Sequence, residues 1–167
     1  MEKLTAIWNR ITGVLDPAGD WVALLVIRLL MAYEFGRAGF MKLNGNNWFG
    51  NVKENFPFPF NVVPVDISWF LATWFEILGA FGILFGLFTR FWAFTLIVLS
   101  IVAIFGVHWP DEWSSLAELW KGYAITDKGF GNYRVPLLFI AMLIPLVFIG
   151  AGKLSVDHFL NRQLNKP

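Results

Sequence analysis

The chain contains no cysteine. It can therefore form neither a disulfide nor a thiolate metal site, and any redox role requires a borrowed cofactor or a partner protein. Charged residues are also scarce: they make up 15% of the 167 residues and sum to a net charge of +1, without forming a basic face. We therefore expect no nucleic-acid partner.

Apolar residues are abundant instead. Hydrophobic residues make up 57% of the chain, with 18 Phe and 9 Trp among them. This content is far above that of a soluble domain of the same size, so the sequence predicts a single-domain integral membrane protein. Residues 21–43 would extend about 34 Å as a helix, which is enough to cross a hydrocarbon core of about 30 Å.

The predicted fold class is all-α, an integral membrane four-helix transmembrane bundle with short interfacial helices. The predicted spans are residues 21–43, 67–88, 91–109 and 135–151, and the predicted interfacial helices are residues 3–15 and 111–122. Asp16, Pro17 and Gly19 are expected to break the chain between residues 3–15 and the first span. The apolar stripe of residues 3–15 suits either the membrane surface or a partner.

The connections between the spans predict the topology. Only Thr89 and Arg90 separate spans two and three, so these spans should form an antiparallel hairpin. Three prolines exclude a regular helix from the loop at residues 44–66, whose aromatic residues favour the headgroup zone. Lys and Arg are slightly more frequent on the side of both termini, which predicts cytoplasmic termini in a multi-pass protein of the bacterial inner membrane.

The chemistry should come from ionisable residues inside the predicted spans, namely Arg28, Glu34, Arg37, Lys42 and Glu76. An unpaired charge there costs several kcal/mol, so partners are required. We expect Arg28 to pair with Glu76, and Glu34 to pair with Arg37 three residues later. Lys42 should reach the headgroups from the end of its span. These charges either fix helix register or line a site for a polar headgroup such as a quinone, or a proton path.

The sequence predicts no metal site. Its two histidines, His108 and His158, fall on opposite sides of the membrane in this topology and cannot share a metal ion. The expected partners are membrane lipid and either another protein or further copies of this chain.

Four runs of sequence resemble the DoxX family of small four-helix membrane proteins. They are RLLMAYEFGRAGFMKL in span one, EILGAFGILFGLFTRF in span two, VHWP at the end of span three and GAGKLSVDHFL after span four. The resemblance extends over residues 22–161. The positions that match the family pattern are Arg28, Gly39, Lys42, Glu76, Gly79, Gly82, Gly152 and Asp157.

This resemblance implies a function linked to membrane redox chemistry. Proteins of this kind are associated with quinone-dependent oxidation of sulfur compounds, with membrane oxidoreductase complexes and, in a subgroup with a VHWP-like ending, with maturation of metal-binding peptides. The chain has no Gly-rich dinucleotide fingerprint and no haem ligand pair, so it would act as a quinone-site subunit or as a non-enzymatic accessory protein.

Overall fold

A computed structural model describes residues 1–110, 112–123 and 132–165, and within these residues the chain forms helices and no strands. The helices are α1 (Glu2–Leu43), α2 (Val65–Phe85), α3 (Thr89–Ala103), α4 (Leu116–Lys121), α5 (Arg134–Phe148) and α6 (Val156–Leu164). A π-helical turn, Ile104–His108, extends α3. Asp111, the first residue of the second predicted interfacial helix, lies outside the described residues.

The break predicted at residues 16–20 is wrong, because α1 continues through Pro17 as one helix of 42 residues. A proline removes one hydrogen bond from the helical ladder and crowds the carbonyl four residues earlier. That residue is Gly13, around which the structure leaves open space. The rest of the ladder persists on both sides, so the predicted interfacial helix and the first predicted span form one element.

The antiparallel hairpin of the second and third helices is confirmed, but its turn lies earlier than predicted, at Gly86–Phe88. Gly86 adopts the left-handed conformation with φ 66°. The Leu87 N–H bonds the Gly82 carbonyl at 2.8 Å and the Gly86 N–H bonds the Ile83 carbonyl at 3.2 Å, the pattern that ends many helices. Glycine adopts this conformation without strain, so the helix stops there.

Four helices share one hydrophobic core. Around the bundle, α1 packs on α2, α2 on α3, α3 on α5, and α5 on α1. Each contributes two buried residues to the core, which consists of Met31, Phe35, Ala80, Ile83, Ala93, Leu96, Leu143 and Leu146. Within the described part of the chain, two elements, Val65–Phe85 and Thr89–His108, are long and apolar enough to cross a membrane, and α5 is a shorter apolar helix of 15 residues.

The proline-rich loop between α1 and α2 contains no α-helix, as predicted, and forms two short 3₁₀ turns, Phe49–Asn51 and Lys53–Asn55. Phe49 and Phe56 are buried against Ala72 in a second, smaller core. The Phe56 ring lies beside Gly106, where a Cβ atom would approach the ring to 2.4 Å. The loop is thereby fixed against α2 and the end of α3.

Candidate functional site

An ion pair joins Lys42, in the last turn of α1, to Glu76, in the middle of α2. The Lys42 Nζ lies 2.8 Å from Glu76 Oε1 and 2.7 Å from Oε2. The two side chains are 17% and 11% exposed. Lys42 therefore does not reach for headgroups as predicted, because a carboxylate on the neighbouring helix is within its range.

Gly39 brings the two helices close enough for this pair to form. A Cβ atom on Gly39 would lie 2.6 Å from Ile77 Cγ1 and 3.0 Å from the Ile77 backbone nitrogen, distances that packed atoms do not tolerate. It would also lie 3.2 Å from Glu76 Cβ. Because Lys42 is one turn after Gly39, this contact sets the register that places the ammonium beside the carboxylate.

A cavity of about 430 Å³ opens next to Lys42. We call it the Lys42 cavity, and its lining residues are Glu34, Arg37, Ala38, Met41, Lys42, Gly45, Asn46, Trp48 and Trp69. The Trp48 and Trp69 rings meet edge to face, with centroids 6.0 Å apart. The cavity therefore combines flat aromatic walls with cationic hydrogen-bond donors.

Glu34 and Arg37 both line this cavity, but they do not form the predicted local pair. Among the described residues, the ion pairs within 4 Å join Lys42 to Glu76 and Lys153 to Asp20. Glu34 is half-buried and Arg37 is exposed. Side chains three residues apart on a helix can meet, but these two line the cavity without contacting each other.

Arg28 does not pair with Glu76, and this prediction is wrong. Its guanidinium donates to four backbone carbonyls: those of Ile83 at 2.7 Å and Leu84 at 2.6 Å, and those of Ala151 at 3.0 Å and Leu154 at 2.6 Å. The first two belong to the last turn of α2, where carbonyls can accept further hydrogen bonds and the helix dipole attracts a cation. The register fixed at Gly39 places Arg28 about two turns beyond Glu76 along α2.

Asp157 completes this end of the bundle. Its carboxylate accepts from the backbone N–H groups of Phe88 at 2.8 Å and Thr89 at 2.9 Å, which caps the N-terminus of α3. Its own N–H donates to the Gly86 carbonyl at 2.8 Å. Arg28 and Asp157 thus hold the α2–α3 turn from two sides, and their polar atoms are used within the fold.

The remaining family glycines are positions of close approach. A Cβ atom on Gly82 would lie 2.1 Å from the Trp92 ring, and one on Gly79 would lie 3.0 Å from Leu96, so both permit the α2–α3 contact. Gly152 has φ +77° and faces Leu24 of α1. These three glycines support packing and lie outside the Lys42 cavity.

A larger groove of about 1100 Å³ lies at the end of the bundle near the termini. Three of its charged groups are engaged within the protein, whereas Arg90, which also lines the groove, is exposed and has no acceptor among the described residues. Lys153 Nζ contacts Asp20 Oδ2 at 2.6 Å, and Asp157 caps α3. In the Lys42 cavity, Arg37 and the third N–H of Lys42 have no protein acceptor among the described residues, and two indole rings stand beside them, so that cavity is the better candidate for a planar ligand.

Sequence reasoning found the charged residues of this cavity and missed its aromatic walls. Trp48 and Trp69 lie 21 residues apart on a loop and a helix, and nothing in their spacing predicts that they meet. The Lys42–Glu76 pair did have a signal, because Gly39 precedes Lys42 by three residues. A glycine marks the face on which another helix approaches closely. The helix that packs on the Gly39 face is therefore expected to supply the partner of Lys42.

The comparisons with known proteins agree with the resemblance. The family model described as DoxX matches residues 23–109. An uncharacterized protein of Haemophilus influenzae is 39% identical over 144 residues, which cover 86% of this chain and 87% of that protein. No solved structure matches the chain. From the family match and the extent of this similarity, the chain belongs to the DoxX family.

Proposed function

We propose that this protein binds the headgroup of a quinone in the Lys42 cavity and serves as a quinone-interacting component of a membrane oxidoreductase system. The observation that carries the proposal is the ammonium of Lys42, which directs two of its three N–H groups at Glu76 and lies beside a cavity walled by Trp48 and Trp69. Its volume of about 430 Å³ is within the range of small-molecule sites, about 300–1,000 Å³.

The donor set fits a quinone headgroup, whose flat ring carries carbonyl acceptors. Lys42 retains one N–H beyond the two directed at Glu76, and Arg37 presents a guanidinium at the same cavity. Both are cationic, so each stabilises negative charge that develops on a carbonyl oxygen. The indole walls offer stacking and edge contacts to a planar ring. Glu34 and Glu76 are carboxylates at which a proton can be held.

A bound quinone would supply two-electron, two-proton redox chemistry, with electrons from a partner oxidoreductase subunit, because this chain contains no thiol. The chain's own residues would orient the headgroup and hold protons at the carboxylates of Glu34 and Glu76. The packing of α1 against α2 would exclude water from the buried side of the Lys42–Glu76 pair. In the membrane arrangement that we propose, α1, α2, α3 and α5 all cross the bilayer with both termini cytoplasmic. The Lys42 cavity then opens toward the opposite interface.

The first test is binding. Quinone should co-purify with the protein and appear in a solvent extract of it. A short-chain quinone added to the protein should quench its tryptophan fluorescence. A charge-assisted hydrogen bond contributes about 1.5–3 kcal/mol, so Lys42→Met should weaken binding by roughly one to two powers of ten. Lys153→Met is the matched control, because it also removes a lysine from an ion pair but lies outside this cavity.

Loss of Lys42 leaves Glu76 unpaired and lowers stability, so the double variant Lys42→Met with Glu76→Gln separates the two effects. It should fold with near wild-type stability and still bind quinone weakly. Unchanged quinone affinity in the folded double variant, or equal loss in Lys153→Met, would rule out the cavity as the site.

A non-enzymatic accessory role is the second candidate, and it is favoured by exposed aromatic residues around α4. Trp120, on the short helix α4, is 67% exposed, and Trp113, which precedes the helix, is 46% exposed; α4 itself has no buried residue. Such residues suit the docking of a partner, for example during maturation of a metal-binding peptide or a redox complex. Purified protein that neither retains quinone nor is quenched by it would favour this role.

A further inference from the structure

The N-terminal part of α1 presents an uncovered apolar face. Leu4 is 74% exposed, Trp8 65%, Ile11 48% and Leu15 60%. These side chains lie on one face of a helix that continues without interruption into the bundle. Most helices in proteins are stabilised by burial of such a face rather than by helix propensity alone.

The spacing of this face is that of a coiled-coil seam. Leu4, Ile11 and Ala18 are seven residues apart, and Trp8, Leu15 and Val22 form a second series with the same period. The two series alternate at intervals of four and three residues, as the a and d positions of a heptad do. The flanking e and g positions, Thr5, Ile7, Thr12 and Val14, carry no charge that would repel an identical helix.

The charges of the segment do not favour the membrane surface. Surface-lying helices usually carry a Lys- and Arg-rich polar face that attracts anionic lipid. Residues 1–20 contain two basic side chains, Lys3 and Arg10, against three acidic ones, Glu2, Asp16 and Asp20. A helix that also spans the bilayer would need a near right-angle bend to lie on its surface, and α1 continues as helix through Pro17.

We propose that residues 2–22 of α1 pair in parallel with the same residues of a second copy of this chain. Copies inserted in one membrane share one orientation, so their N-terminal helices point the same way and meet in register. The helix is about 63 Å long, roughly twice the hydrocarbon thickness, so it reaches well outside the bilayer. The proposal rests on α1 as a membrane span and is independent of quinone binding.

Single-cysteine variants test the seam directly, because the chain has no cysteine of its own. Leu4→Cys and Ile11→Cys place thiols on the seam, whereas Ala6→Cys and Gly13→Cys place them on the opposite face. Under a mild oxidant in native membranes, disulfide-linked dimers should form at the seam at least about tenfold faster than on the opposite face, since a disulfide needs Cα atoms within about 7 Å.

A second measurement tests whether a charge introduced on the seam prevents two copies from associating. Ile11→Glu should abolish co-purification of tagged and untagged copies, while Gly13→Glu, on the opposite face, should leave it unchanged. Equal cross-linking on both faces would overturn the proposal, and so would co-purification that survives Ile11→Glu. Quenching of labels at Leu4 and Ile11 by brominated lipid, without dimer formation, would assign the face to the membrane surface instead.

Discussion

The sharpest prediction concerns Gly39, because a methyl group added there would collide with α2 next to the Lys42–Glu76 pair. In Gly39→Ala the new Cβ would lie 2.6 Å from Ile77 Cγ1 and 3.0 Å from the Ile77 nitrogen. The side-chain atom can move, but the nitrogen belongs to the backbone of α2 and cannot move without the helix. The variant should therefore push α1 and α2 apart at this point.

Two effects of opposite sign set the magnitude. Alanine in place of glycine favours a helix by about 0.5–1 kcal/mol, whereas overpacking a closely packed contact costs about 1–3 kcal/mol. We expect Gly39→Ala to lower the free energy of unfolding by about 1–2 kcal/mol. Gly36→Ala, one turn earlier, has only the first effect, because its Cβ would lie an ordinary 3.6 Å from Ala80 Cβ. That variant should be neutral or slightly stabilising.

The assay is thermal unfolding of both variants in the same detergent, together with quinone-dependent fluorescence quenching. Gly39→Ala should unfold at lower temperature and bind quinone more weakly, since separating the helices lengthens the Lys42–Glu76 contact. Gly36→Ala should change neither property for the worse. Equal melting temperatures for the two variants would refute the argument that Gly39 fixes the helix register.

Three further predictions concern other contacts. Arg28→Met should cost about 3–5 kcal/mol in chemical unfolding, because it removes a buried cation and its charge-assisted hydrogen bonds, whereas Arg90→Met at an exposed position should cost little. Asp157→Ala should lower the melting temperature through loss of a helix cap worth about 0.5–2 kcal/mol, and Asp157→Asn should restore part of the loss. Hydrogen bonds from the hydroxyl and the backbone N–H of Ser114 hold the pKa of Glu118 below its usual value, so Ser114→Ala should raise that pKa in an NMR titration. Any stability that ionised Glu118 gives to α4 should be present above its unfolded pKa and lost as pH falls through the lower folded pKa.

Much of the fold followed from local pattern. Long apolar runs located the four helices of the bundle, because a helix needs about 20 predominantly apolar residues to cross a hydrocarbon core. Prolines excluded a helix from the aromatic loop, and the short link between α2 and α3 indicated a hairpin. Boundaries were less accurate where a breaker was tolerated, as at Pro17, since one lost hydrogen bond is small beside the rest of a long helix.

The partners of the buried charges could not be predicted in the same way. Whether Glu76 meets Arg28 or Lys42 depends on the register between α1 and α2, and the 21-residue loop between these helices leaves register open. The contact at Gly39 determines this register. The residue spacing within one helix does not predict which residues of another helix it will contact. Backbone carbonyls, which satisfy Arg28, leave no trace in the sequence at all.

Hydrogen bonding and enclosure together distinguish a structural cation from one that can bind a ligand in this fold. The Arg28 guanidinium has five N–H groups, makes four hydrogen bonds to carbonyls and is only 2% exposed, so a ligand could reach it only by displacing the protein. Lys42 has three N–H groups, directs two of them at a single carboxylate and lies beside a cavity. A cation that its own fold has enclosed stabilises that fold, whereas one with a donor left over beside open space can bind something else. This difference is the reason for placing the ligand at Lys42, although Arg28 is the more deeply buried of the two.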